Sequence, residues 1–172
     1  MARHRRGAGP PDVIRVLDQF VAYVLAAAKW LALPVVTLLF LQWPLRDIVH
    51  VFSREANDLG QWLFALYVAA SITAATRAKT HLAADTISRN YSDATRQRLA
   101  CAGALFGLIP WAIIVLVTSR NIVLESVLEL ERFPDTYNPG YFIVKLALWL
   151  LALLILLEGV IGLWRGGGAR RR

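Results

Sequence analysis

A histidine and a carboxylate stand close together in TRAKTHLAADTISRNYS, residues 76–92. His81 and Asp85 are four residues apart, so on a helix they would share one face and could together contact a metal ion. Protein zinc sites use three or four ligands from the chain, and this segment offers no third. The segment is therefore interpreted as a polar turn between two membrane helices, and no metal site is predicted.

The three histidines of the chain also bear on haem binding. A pair of axial ligands must lie at matching depth, but His50 and His81 are predicted on opposite sides of a hydrocarbon core roughly 30 Å thick. His4 lies in a basic tail, and the chain contains no GxSxG, HExxH or glycine-rich phosphate loop. The sequence predicts no catalytic residue, no cofactor and no enzyme activity. A four-helix membrane anchor of a redox enzyme stays as the alternative function.

Apolar residues make up 57% of the 172-residue chain, and charged residues make up 18%. The apolar residues lie in four blocks, each long enough to cross a membrane, and in lipid each block must pair its backbone groups within a helix. The fold class is predicted as an all-α membrane protein with four transmembrane helices and short amphipathic interfacial helices. The predicted organisation is a basic disordered tail over 1–12, a membrane domain over 13–165 with spans at about 21–42, 59–78, 99–119 and 141–164, and a basic tail over 166–172.

The net charge of +7 follows the flanks of the spans. Taken in order from the N-terminal tail through three loops to the C-terminal tail, the arginines and lysines number four, two, five, two and four. The positive-inside rule places the rich segments, and both termini with them, in the cytoplasm. Because the charge alternates with the spans, the partner that it indicates is the phospholipid bilayer and not nucleic acid.

The first external loop carries a helical apolar pattern. Over residues 45–52, apolar side chains recur at i, i+3, i+4 and i+7 directly after Pro44. This pattern predicts a short helix that lies in the outer interface. Asn57 or Asp58 is expected to cap the second span.

Two ionisable residues, Lys29 and Glu158, stand inside predicted spans, where charge is costly and marks function or pairing. Counted from the predicted cytoplasmic ends of their helices, they lie at depths of roughly 13 and 9 Å. They could pair with each other between the first and fourth helices, or contact a partner subunit. Equally, Lys29 could extend to the inner interface while Glu158 faces a wet groove. Both interpretations stay open.

The segment NDLGQWLFALYVAASITAATRAKTHLAAD, residues 57–85, resembles part of a known family. The small membrane subunit of tripartite ATP-independent periplasmic (TRAP) transporters has a polar or acidic pair before its second span, an arginine at the end of that span, then a histidine with an aliphatic residue, and an aspartate that opens the next helix. The end of the chain, NPGYFIVKLALWLLALLILLEGVIGLWR, is similar to the last span of the family. The matching residues are Asn57, Asp58, Arg77, His81, Leu82 and Asp85.

The resemblance implies a non-catalytic, multi-pass subunit of the bacterial inner membrane with cytoplasmic termini. Its partners would be a large membrane transport subunit, which moves an organic acid together with sodium, and a periplasmic substrate-binding protein that delivers the acid. Two departures are Asn57, where an acidic residue is common, and Lys145, in a region that is usually apolar. Arg77 is expected among the lipid headgroups. The candidate structural or partner-contact residues are Lys29, Asn57, Asp58, Arg77, His81, Asp85 and Glu158.

Overall fold

The computed structural model describes residues 12–48, 53–78 and 91–169. Four helical segments in it are long and apolar enough to cross a membrane, which confirms the prediction of an all-α membrane protein with four transmembrane helices. The first to fourth spans, in chain order, are Asp12–Leu45, Arg54–Ala78, Asp93–Thr118 and Tyr141–Arg165.

The first span is interrupted near its middle. Helix α1, Asp12–Ala28, passes into a short 3₁₀ turn, Lys29–Leu31, before α2, Ala32–Asp47. Pro34 has no N–H to donate to the carbonyl of Trp30, and its ring crowds that carbonyl. The tighter turn therefore falls at the place where the proline disturbs the regular hydrogen bonds.

The third span has the opposite irregularity, a widened turn. Helix α4, Asp93–Gly103, begins at Ser92, whose hydroxyl accepts a hydrogen bond from the Thr95 N–H at 3.3 Å. A π-helical turn, Ala104–Leu108, then leads into α5, Ile109–Thr118. Pro110 stands just after the widened turn and cannot donate to the carbonyl four residues before it, which accounts for the change of winding at this point.

The predicted interfacial helix in the first external loop is wrong for the residues that the structure describes there. Residues 44–47 complete α2, and α3, Arg54–Ala78, begins directly after Ser53; residues 49–52 lie outside the described chain. The cap of α3 is Ser53, whose hydroxyl accepts a hydrogen bond from the Ala56 N–H at 3.1 Å. The expected cap at Asn57 or Asp58 is therefore also wrong.

Two helices complete the chain. Helix α6, Arg120–Leu128, follows the third span after a break at Ser119, and α7, Tyr141–Ala169, contains the fourth span. Because α7 continues to Ala169, residues 166–169 of the predicted basic tail are helical.

The fourth span lies at the centre of the packing. It contacts the first, second and third spans, and 39% of its most apolar stretch is buried, against 11% for the first and third spans. The first and third spans therefore expose most of their surface to the surroundings of the bundle. The buried centre consists of Val21, Leu25, Ala70, Leu154 and Ile161.

Gly159 permits the close approach of the fourth span to the third. A Cβ atom at this position would lie 2.9 Å from Cγ1 of Ile109, whereas a Cβ atom at Gly162 would meet nothing within 4 Å. Small residues at such contacts let membrane helices pack closely.

We expect Gly159→Ala to destabilise the bundle by about 1–3 kcal/mol, because the added methyl group overpacks the contact with Ile109. Gly162→Ala is the matched control on the same helix and should leave stability unchanged or slightly raised. Thermal unfolding of both variants in one detergent measures the difference. Equal melting temperatures would show that the third and fourth spans are not held this closely.

Candidate functional site

Four charged side chains meet at one end of the bundle, and we name them the arginine cluster: Asp18, Arg77, Glu158 and Arg165. Nη2 of Arg77 donates to Oδ1 of Asp18 at 2.5 Å, and Nη1 of Arg77 lies 3.6 Å from Oε2 of Glu158. Nη2 of Arg165 donates to the same Asp18 oxygen at 2.7 Å. Two guanidinium groups thus share one carboxylate, and Arg77 contacts a second.

The arrangement follows from an up-and-down path through the membrane. Asp18 lies near the start of the first span, Arg77 ends the second, and Glu158 and Arg165 are two turns apart near the end of the fourth. The cluster therefore joins three spans, and it places the start of the first span beside the end of the fourth.

The centre of the arginine cluster is largely shielded. Glu158 is 8% exposed, and the side chain of Arg77 is 23% exposed. Nη1 of Arg77 and Oε2 of Glu158 are buried without a hydrogen-bond partner, so they face each other at ion-pair distance and not at hydrogen-bond distance. A buried charge that loses its counter-charge is strongly destabilising, which makes the contacts of Arg77 structurally important.

The cluster bears on two expectations from the sequence. Glu158, for which a pairing with Lys29 was left open, has Arg77 as its partner. Lys29 is exposed, and no ion pair connects it to another described residue. Arg77 lies between the carboxylates of Asp18 and Glu158 at the end of the second span, and its expected position among the headgroups stays a prediction.

A second polar group holds the loop between the third and fourth spans. Asp58 is 6% exposed, and Oδ2 of its carboxylate accepts hydrogen bonds from Thr136 Oγ1 at 2.5 Å and from Asn138 Nδ2 at 3.0 Å. Within the loop, the Phe133 N–H donates to the Asn138 carbonyl, and the Tyr137 N–H donates to the Phe133 carbonyl, each at 2.9 Å. Asp58 therefore fixes a tight turn that begins more than seventy residues later in the chain. Its neighbour Asn57 is half-buried.

Aromatic rings complete this end of the bundle. Gly140 has φ 125°, a conformation that favours glycine, and a Cβ atom there would lie 3.7 Å from the Trp62 ring. The rings of Phe133 and Tyr141 meet edge to face with centroids 5.4 Å apart. The loop thus packs against the start of the second and fourth spans.

Glu131 forms a third polar contact near this loop. Its carboxylate accepts hydrogen bonds from Lys145 Nζ and Ser126 Oγ, and Nζ of Lys145 lies 5.4 Å from the centroid of the Tyr141 ring. The hydrogen bond from Lys145, followed by the one from Ser126, lowers the pKa of Glu131 below its ordinary value. Lys145, which departs from the resembled family, therefore has a partner within the chain.

The polar groups of both ends are thus engaged in contacts that hold helices and loops together. Within residues 12–48, 53–78 and 91–169, no group of three or more His, Cys, Asp or Glu side chains is arranged to hold a metal ion. His81 and Asp85 lie outside the described residues, so their predicted roles stay predictions. An apolar groove of about 490 Å³ between the second, third and fourth spans is lined by Leu66, Leu116, Leu146, Trp149, Leu150 and Leu153.

Comparison of the chain with protein-family models, with curated proteins and with solved structures finds no match.

Sequence reasoning missed several members of these groups. Asp18 and Arg165 could have been found by the depth estimate that was applied to Lys29 and Glu158, because both lie near the same membrane face as Arg77. Thr136 and Asn138 carry no such signal, since their contact with Asp58 depends on how the loop folds back.

We expect Arg77→Met to cost about 3–5 kcal/mol of stability, because it leaves the buried carboxylate of Glu158 without its cation, whereas Asp18 keeps Arg165. Arg165→Met removes a half-exposed arginine from the same Asp18 oxygen and should cost about 1 kcal/mol or less. Thermal unfolding in detergent compares the two variants. Similar losses for both would contradict the central position given to Arg77.

The pKa of Glu131 predicts an acid-sensitive contact. Because folding lowers this pKa, the ionised carboxylate stabilises the folded protein above the ordinary glutamate range, and that contribution disappears as the pH falls through the lowered pKa. We expect Glu131→Gln to melt below the wild type at neutral pH and to approach it as the pH is lowered. Glu129→Gln, at an exposed position, is the control. A pH-independent difference for Glu131→Gln would contradict the role of its charge.

Proposed function

We propose that this chain is the small membrane subunit of a TRAP transporter. It has no catalytic role of its own and enlarges the stationary scaffold around a large transport subunit. That partner takes up an organic acid with sodium after a periplasmic binding protein has delivered it.

The observation that carries the proposal is that two residues of the resembled motif form structural contacts within the chain. Asp58 and Arg77, which match the family pattern, stand at opposite ends of the second span, and both are engaged in contacts within the chain. Asp58 holds the loop before the fourth span, and Arg77 joins the first, second and fourth spans. Motif residues that fix the shape of the helix bundle fit a scaffold subunit better than they fit a transport site.

The exposed surface of the spans also supports a subunit. Large apolar side chains of the first span stand mostly outside the bundle, including Trp30 at 72%, Phe40 at 69% and Trp43 at 62% exposure. Lipid covers such a surface, and so does another membrane protein. The ion pairs that join the spans lie near the two ends of the bundle, where they hold helices and a loop together.

The proposed orientation gives each end a role. With the positive-inside rule, the arginine cluster faces the cytoplasm. The loop held by Asp58 then faces the periplasm, where a binding protein would dock. The two ends are therefore available to different partners.

We expect the tagged chain, purified gently from its native host, to bring with it a many-span membrane protein in stoichiometric amount. Mass spectrometry identifies the partner, and an absorbance spectrum tests for haem. A strain that lacks the chain should lose sodium-dependent uptake of the organic acid, and the wild-type gene should restore it. A soluble redox subunit or a haem band in the purified complex would favour the membrane-anchor alternative instead.

A further inference from the structure

Lys29 has no counter-charge among the described residues. It lies in the 3₁₀ turn near the middle of the first span and is exposed. Asp18 lies eleven residues earlier, in α1, which places it about 16 Å away along the helix axis. A lysine at this depth needs a partner or a wet environment.

The acids of this chain that lie nearest in the membrane are already engaged. Asp18 holds Arg77 and Arg165, and Glu158 faces Arg77. If Lys29 competed for either carboxylate, it would weaken an existing ion pair of Arg77 or Arg165. Neither acid of the arginine cluster therefore supplies a counter-charge to Lys29.

A cavity lies beside Lys29. Its volume is about 120 Å³, and it is formed between the first and second spans, with Lys29, Tyr67 and Ser71 among its lining residues. The remaining lining residues are apolar. An ammonium group and two hydroxyl-bearing side chains around one cavity suit a carboxylate, which accepts hydrogen bonds from all three.

The helix surface beside Lys29 is suited to another helix. At about 100° per residue, Ala22 and Ala26 project from the same side of α1 as Lys29, and both are exposed. Small residues allow a neighbouring membrane helix to approach closely. Trp30 and Leu33, 72% and 61% exposed, extend the apolar surface around this position.

We propose that a transmembrane helix of the large partner subunit packs beside Lys29, and that an aspartate or glutamate of this helix enters the cavity at the depth of Lys29. The inference rests on the proposed function, since it needs a membrane partner. Charge complementarity identifies the occupant: a lipid chain would fill the apolar surface but would bring no carboxylate to this depth. The ion pair would fix the depth and rotation of one subunit against the other.

The complex purified from the native host provides the test. Dicyclohexylcarbodiimide, which enters membranes, joins a lysine amine to a carboxylate in direct contact. Peptide mapping by mass spectrometry should find Lys29 joined to an Asp or Glu within a span of the co-purifying protein. The contact of Lys145 with Glu131 inside the chain is the internal control for the reaction.

Three variants separate charge from structure. Lys29→Arg keeps the charge, so it should keep the partner while losing the cross-link. Lys29→Met should reduce the co-purifying partner by about tenfold or more, because the partner's carboxylate is left buried and unpaired. Lys145→Met removes a span lysine whose partner lies within the chain and should retain the complex.

The outcomes distinguish this inference from the proposed function. If the Lys29→Met variant keeps the partner at the wild-type level, the inference is overturned while the subunit role stands. A cross-link from Lys29 only to Glu158 or to lipid has the same meaning. A chain that purifies alone from its host would overturn both. A cross-link to a partner's span acid together with the loss in Lys29→Met supports the inference.

Discussion

One arginine side chain sets the arrangement of three membrane helices. Arg77 closes the second span and contacts Asp18 of the first and Glu158 of the fourth. Helices in lipid gain little from the hydrophobic effect when they meet, because lipid tails are as apolar as the side chains. A cation shared by two carboxylates in a shielded place gives the helices a relative depth that apolar contacts alone do not specify. The start of the first span and the end of the fourth meet in this cluster, beside the span that contacts all of the others.

The opposite end of the bundle is fixed by a different device. Asp58 holds the loop before the fourth span through two side-chain hydrogen bonds, and Glu131 connects the loop to Lys145. At each end, one charged residue of the second span, Arg77 or Asp58, contacts groups that follow much later in the sequence. The second span has the lowest mean hydropathy of the four spans, 1.3 against 2.1 or more. Its polar residues form the contacts at both ends of the bundle.

Hydropathy and proline positions were sufficient to predict the general fold from the sequence. Long apolar blocks must be helices in lipid, and Pro34 and Pro110 disturb hydrogen bonds that can be counted in advance. The partner of Glu158 could not be predicted in this way. A depth estimate measures position along a helix and says nothing about which side of the helix faces a neighbour, so it suggested Lys29 and did not suggest Arg77. The role of Asp58 was missed for a related reason, since a residue near a helix start suggests a local cap while its actual contacts come from a distant loop.

The widened turn in the third span has a geometric consequence for the face that this span presents. Ala104 and Ala112 are the buried residues of the span, and eight regular α-helical residues would leave them about 80° apart around the axis. A π-helical turn accommodates one additional residue, so the two alanines behave as if seven residues separated them, with an angular offset of about 20°. The turn beside Pro110 therefore rotates one half of the helix relative to the other, so that both halves present their buried alanine on the side that packs against the fourth span.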